Sequence, residues 1–286
     1  MTVDLDRTRE RVENIFGSFS SGWEALLRED PDFATAFATY LDATYHAGTL
    51  EPRIRELLLL AHDATITVLD PDGVRLRVRR ALDAGATKRE VLDVLETLTL
   101  ITIHSLTTGL PMVPRGDAGH ADLPRPAQVV GRYWDDFESH FPGFHAQMAA
   151  ATPQLFDAYR DLGQTIACSA ALEPKWRELA IVVADLSTSH LFRDGAAFHV
   201  QTALRYGATP QEVVAAMTLA LPCAVRTIEI GLAALDEYNP VEETRVPDTR
   251  GSKHTPAISA RHRSSRRSPS PATAAPHERN GCDGTY

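Results

Sequence analysis

Two stretches of the sequence share one frame and differ at a position that could do chemistry. Residues 198–213 read FHVQTALRYGATPQEV and residues 76–91 read LRVRRALDAGATKREV, so His199 in one copy stands where Arg77 stands in the other. An imidazole with a pKa of about 6.5 exchanges protons at neutral pH. A guanidinium stays charged, so it can hold a carboxylate but cannot act as a base. The exchange predicts proton transfer at His199, and a structural role or a carboxylate contact at Arg77.

A carboxylate near the start of an apolar segment is the second candidate. Glu178 follows Arg177 in KWRELAIVVADLSTSHL, where a buried carboxylate is costly unless it is paired. It can partner His199 in a site. It can equally form a structural salt bridge with Arg177, or stabilise the helix N-terminus.

Two further histidines complete the set of candidates. His104 stands opposite Arg226 when the two copies are aligned, which is the reverse of the exchange between Arg77 and His199. His190 ends the apolar segment and can face the same cavity. The sequence therefore predicts His199 and Glu178 as catalytic residues, and as substrate-binding residues Arg77, Arg177, His190 and His104.

The two stretches belong to a longer duplication. Glu51 and Pro52 recur as Glu173 and Pro174, an offset of 173 − 51 = 122 residues. The same offset aligns about ninety residues without a gap, and it pairs Asp63 with Asp185. The chain is therefore predicted to be a tandem duplication of one unit.

Each unit is predicted to consist of helices alone. Helices are expected over 32–47 and 154–168, and then from the first-turn prolines at 52 and 174 through the apolar segments. The next helix should end at Gly85 or Gly207, and TKRE and TPQE should form capping boxes. A long apolar helix should follow over 88–108 and over 210–236, with a kink at Pro222 in the second copy.

Composition sets the remaining limits. A formal net charge of −9 argues against nucleic-acid binding, and we expect no membrane span and a cytoplasmic location. The three cysteines form no CxxC pair and no metal-ligand spacing, so no metal is expected. The predicted organisation is a first repeat at 1–115, a linker at 116–130, a second repeat at 131–239, and a disordered tail rich in Ser, Pro and Arg at 240–286.

The frame RELAIVVADLS, followed by H-V-x-x-A-L-x-x-G-A-T-x-x-E-V, resembles the carboxymuconolactone decarboxylase family, which includes the AhpD-like alkylhydroperoxidases. The resemblance covers roughly residues 19–110 and 141–236. It implies an all-α, AhpD-like helical bundle, assembly as a homo-oligomer such as a trimer of two-repeat chains, and cofactor-free lyase chemistry on a small carboxylated or lactone-like substrate. His199 falls at the family's catalytic histidine, and Glu178 at its carboxylate partner.

The chain departs from the AhpD-like branch at its redox centre. That branch carries C-x-x-C-x-x-x-H, and counting back from His199 the cysteine positions hold Phe192 and Gly195. Thiol peroxidase chemistry needs a reactive thiolate and a resolving thiol. A decarboxylase is therefore the leading interpretation. A peroxidase or other oxidoreductase, and a non-catalytic oligomeric scaffold, are the alternatives.

Overall fold

Every regular element in residues 4–113 and 123–238, the part of the chain that the computed structural model describes, is helical. The first repeat contains α1 (Leu5–Phe16), α2 (Ser21–Glu29), α3 (Pro31–Tyr45), α4 (Pro52–Ala64), α5 (Pro71–Asp83), α6 (Lys88–Thr99) and α7 (His104–Gly109). The second repeat contains α8 (Arg132–His140), α9 (Phe144–Ala151), α10 (Pro153–Ser169), α11 (Pro174–Asp185), α12 (Arg193–Arg205), α13 (Pro210–Thr218) and α14 (Val225–Tyr238). The predicted all-α fold and tandem arrangement are confirmed. The predicted tail at 240–286 and residues 116–122 of the predicted linker lie outside the described residues.

The local signals act as the sequence predicts. Helices α4 and α11 begin at their prolines. Proline is favoured there because a backbone N–H in the first turn would have no partner within the helix. Gly85 and Gly207 adopt φ values of 93° and 90°, the left-handed conformation that glycine tolerates after a helix end. Complete capping boxes start α6 and α13.

The last helix of each repeat is broken by a 3₁₀ turn, where a kink was predicted in the second repeat alone. In the second repeat α13 ends at Thr218, and the 3₁₀ turn Leu221–Ala224, which contains Pro222, separates it from α14. The 3₁₀ turn Leu100–Ile103 interrupts the first repeat at the matching place, without a proline. The interruption changes the direction of the chain, so that the final segment of each repeat runs towards the other repeat.

The central layer of the core is the pair α4 and α11. These helices pack against each other, and almost every residue from Ile54 to Asp63 and from Trp176 to Asp185 is buried. The crossing segments close the structure: α14 packs on α2, where Ser20 donates to Glu229 over 3.0 Å. The two repeats therefore share one core, and the residues of α7 and α14 are presented to the opposite repeat.

Two apolar stretches, Lys88–Met112 and Pro210–Leu235, have the length and composition of a membrane span. Each contains the 3₁₀ turn described above, and 39% of each window is buried inside the protein. Core helices commonly meet the same criterion, so these stretches are weak evidence for a membrane.

Candidate active site in the second repeat

The sequence-predicted pair His199 and Glu178 is in direct contact. Nδ1 of His199, on α12, lies 2.6 Å from Oε2 of Glu178, on α11, and both side chains are buried. The imidazole N–H donates to the carboxylate, which fixes the ring and leaves Nε2 for other partners. Burial opposes the charged ring, but the hydrogen bond to Glu178 and the charges of Glu178 and Asp185 outweigh it and raise the pKa of His199.

A cavity with mainly apolar walls lies against His199, at the junction of the two repeats. Helix α6 and the segment after it supply one wall, and aromatic side chains of α8 and α10 supply the opposite one. The main aromatic members are Tyr133, Trp134, Phe137, Phe141 and Tyr159. The cavity encloses about 50 Å³, room for a few water molecules, so a small ring compound enters only if aromatic side chains move outward.

One guanidinium reaches this cavity, and sequence reasoning missed it. Arg160 on α10 stacks over the ring of Trp134 at 4.1 Å and donates from Nη2 to the carbonyl of Gln128. Its buried Nε has no hydrogen-bond partner among the described residues. Because an Nε–H inside an apolar wall is costly when unpaired, Arg160 is suited to bind an anionic substrate group.

Three more titratable side chains sit beside the pair. Asp185 ends α11 with no exposure to solvent, and burial raises the pKa of its carboxyl to about 7. His104 of the first repeat lines the cavity, with Nδ1 3.0 Å from Nε2 of His190 and 3.7 Å from Oδ1 of Asp185. Burial, together with the neighbouring His199 and His190, lowers the pKa of His104 to about 3. The predicted candidate His104 is thus brought to the His199 cavity from the other repeat, and His190 contacts His104 without lining that cavity.

A glycine lets α12 approach this cluster. A Cβ on Gly195 would lie 2.6 Å from Oδ2 of Asp185 and 2.4 Å from the ring of Phe192. Gly195 stands one helical turn before His199, so its small size sets how closely α12 packs on α11. The matching Gly73 has the same relation to Asp63 in the first repeat.

The first repeat holds the counterpart of the site with arginines in place of histidines. Arg77 is 2% exposed, and its Nη1 donates to Oε2 of Glu56 over 3.1 Å and to the carbonyl of Ile15 over 3.0 Å. Arg226, on α14 of the second repeat, places Nη2 3.0 Å from Oδ1 of Asp63. The exchange between histidine and arginine seen in the sequence therefore involves two whole clusters of side chains, one in each repeat.

The two predicted arginines lie away from the cavity at His199. Arg77 lies in the first-repeat cluster, bound to Glu56, and not at the cavity beside His199. Arg177 is buried near the start of α11 and does not line the cavity either. That either arginine binds substrate stays a prediction. The guanidinium that lines the cavity at His199 is that of Arg160.

A thiol and an imidazole meet in the more open cleft of the first repeat. His62 and Cys223 both line it, and Nδ1 of His62 lies 3.0 Å from Oδ1 of Asp63. The neighbouring imidazole of His62 lowers the pKa of the Cys223 thiol. The cleft encloses about 590 Å³ and is far more polar than the cavity at His199. Sequence reasoning set Cys223 aside because it forms no motif along the chain.

The fold and the site define a class: a duplicated helical protein with one histidine–glutamate site and one arginine-filled counterpart. The sequence profile of the carboxymuconolactone decarboxylase family matches residues 31–101 and 153–237, one match in each repeat. The chain belongs to this family.

A solved structure supports the same assignment. A protein from Burkholderia xenovorans LB400, provisionally named as a gamma-carboxymuconolactone decarboxylase subunit and solved at 1.70 Å, superposes with a TM-score of 0.70. The two chains are 28% identical, and the alignment covers 82% of this chain and 96% of that chain. No protein of curated function matches the chain.

Proposed function

We propose that the second repeat catalyses decarboxylation, or closely related lyase chemistry, of a small carboxylated or lactone-like acid. The observation that carries this proposal is the buried His199, held by Glu178 at 2.6 Å and placed against an apolar cavity. Family membership and the provisional name of the Burkholderia protein support the reaction type.

The reaction needs a proton at the carbon that loses the carboxylate. The bond between that carbon and the carboxylate breaks, CO₂ leaves, and the electron pair passes into an adjacent carbonyl or conjugated system as an enolate. His199, protonated at both ring nitrogens, then donates the Nε2 proton to the carbon and regains one from solvent. The overall change, RCO₂⁻ + H⁺ → RH + CO₂, requires no redox partner.

The cavity walls supply the other requirements. Arg160 can bind an oxygen of the substrate that stays anionic through the reaction. The aromatic wall excludes water, which weakens the hydration of the scissile carboxylate and favours a transition state with dispersed charge. Burial raises the pKa of Tyr159 to about 12, so its hydroxyl stays protonated at neutral pH.

The direct test is CO₂ release from a panel that contains γ-carboxymuconolactone, related carboxylated butenolides and simple β-keto acids. We expect at least one member to be turned over well above the buffer rate. Release of CO₂ from none of them would contradict the proposal and favour a non-catalytic scaffold.

Alkylation of the thiols separates the peroxidase alternative. Cys168 is exposed and Cys223 is partly exposed, so iodoacetamide reaches both. A decarboxylase that depends on His199 keeps its turnover after alkylation, whereas thiol peroxidase chemistry stops. Peroxide reduction that is lost in a Cys223→Ala variant would assign the chemistry to the first-repeat cleft instead.

A further inference from the structure

Three potential metal ligands converge at the edge of the His199 cavity. One ring nitrogen each of His104 and His190 and a carboxylate oxygen of Asp185 all lie within 4.8 Å of one another. Two of the separations, 3.0 Å between the imidazole nitrogens and 3.7 Å from His104 to Asp185, are close to those of ligands sharing one ion. Ligands bound at about 2.1 Å lie about 3.0–3.4 Å apart in octahedral or tetrahedral geometry.

The carboxylate in this cluster is incompletely satisfied by the protein. Asp185 has no exposure to solvent, and neither of its oxygens accepts a hydrogen bond from any described residue. A buried carboxylate that accepts no hydrogen bond is unfavourable, and a cation bound beside it would stabilise its charged form.

The first repeat shows which cation fills the equivalent place there. Asp63, the counterpart of Asp185, faces Nη2 of Arg226 at 3.0 Å, and Arg226 is the counterpart of His104. The counterpart of His190 is Val68, which cannot bind a metal. The duplication thus places an arginine cation beside one buried aspartate, and two imidazole nitrogens with no fixed charge beside the other.

We propose that His104, His190 and Asp185 bind one divalent transition-metal ion. Two imidazoles and one carboxylate suit Zn²⁺, Co²⁺, Fe²⁺ or Mn²⁺, and they leave coordination positions open. This departs from the sequence-based expectation of no metal, because the ligands come from both repeats and form no linear motif. Binding of the ion is independent of the proposed decarboxylation. Because His104 lines the cavity, the ion could also bind a substrate oxygen, a role that does rest on the proposed function.

The test is a titration of the full chain, untagged and stripped with EDTA, with Co²⁺, followed by visible absorption and calorimetry and then by Zn²⁺ competition. We expect one tight site per chain, weakened more than about 100-fold in His190→Ala and in Asp185→Asn. The exposed His46 provides the matched control, and His46→Ala should bind as the wild type does. Circular dichroism checks folding, and His104→Ala replaces Asp185→Asn if that variant unfolds.

Two outcomes overturn the proposal. One is a wild-type affinity no higher than that of His190→Ala, which would assign binding to scattered surface histidines. The other is tight binding that survives removal of Asp185 or His104. His199→Gln should keep the Co²⁺ site while losing turnover, so failure of the metal proposal and failure of the decarboxylase proposal are distinguishable.

Discussion

At the scale of the residue, the protonation state of His199 depends on two opposing effects. Burial alone would favour the neutral ring, and the ring would then be a poor proton donor. The carboxylate of Glu178 reverses this, so the pKa of His199 is raised above its usual 6.5. Glu178 thus has two roles, because it holds the ring in place and favours its protonated form.

The pKa of His199 should therefore fall when Glu178 loses its charge. In Glu178→Gln, burial remains while the compensating charge is lost, so we expect the pKa to drop from above 6.5 to below it. Titration of the imidazole by NMR measures this directly. Glu173→Gln, an exposed change just before the same helix, should leave the titration where it is. Equal pKa values in the wild type and Glu178→Gln would show that Glu178 does not tune the ring.

The residues of the site were only partly predictable. His199 and Glu178 were found because each sits at a marked place in a repeated frame. Asp185 carried a signal that was not used, since it and Asp63 occupy the same place in two strongly apolar segments. Arg160 carried none, because one arginine on the half-buried helix α10 looks like any surface cation until Trp134 and the cavity are seen beside it.

At the scale of the element, the close packing of α12 on α11 brings His199 to Glu178. Gly195 makes this contact possible, because a side chain there would collide with Asp185 and Phe192. The glycine matters here for space rather than for backbone freedom, since it lies inside a helix.

Gly195→Ala should therefore weaken both the fold and the site. We expect a loss of about 1–3 kcal/mol in the free energy of unfolding, as for other overpacked positions, with a fall in turnover. Gly231→Ala is the matched control on α14, where an added Cβ meets nothing within 4 Å, and it should be neutral or stabilising by up to about 1 kcal/mol. Urea denaturation compares the two variants. A similar change in the free energy of unfolding of both variants would mean that α12 accommodates the added Cβ without a clash.

Element boundaries show where sequence patterns succeed. Prolines, glycine stops and capping boxes act within a few residues, so they were predicted correctly. The break at Leu100–Ile103 has no proline or glycine, and the chain turns there as its final segment crosses to the other repeat. A contact between repeats leaves no trace in the local pattern, so the segment was predicted to be continuous.

At the scale of the whole molecule, the duplication has produced two clusters with different roles. Each combines a glutamate, an aspartate and the α5 or α12 residue of its own repeat with one residue supplied by the other repeat. In the first repeat both variable positions are arginines that neutralise the acids, and in the second they are histidines. We therefore propose that the first cluster contributes stability and that the second carries the chemistry.

The first cluster should therefore be removable at a cost in stability alone. Arg226→Met breaks the contacts to Asp63 and Asp70, and we expect a loss of about 1–3 kcal/mol in the free energy of unfolding. Turnover should change less than about twofold under conditions where the variant is folded. The exposed pair of Arg75 and Asp72 gives the control Arg75→Met, expected within about 0.5 kcal/mol of the wild type. Loss of turnover in Arg226→Met without loss of stability would instead assign the catalytic role to the first repeat.

The most direct test of the central claim is the steady-state rate of CO₂ release by His199→Gln, measured on whichever acid of the panel the wild type turns over best. Glutamine can hydrogen-bond to Glu178 but cannot donate a proton as an imidazolium does. We expect kcat to fall at least about 100-fold, with KM changed little, and His46→Gln to match the wild type. An unchanged kcat in His199→Gln would contradict the account, because proton transfer would then not depend on the residue that distinguishes the two repeats.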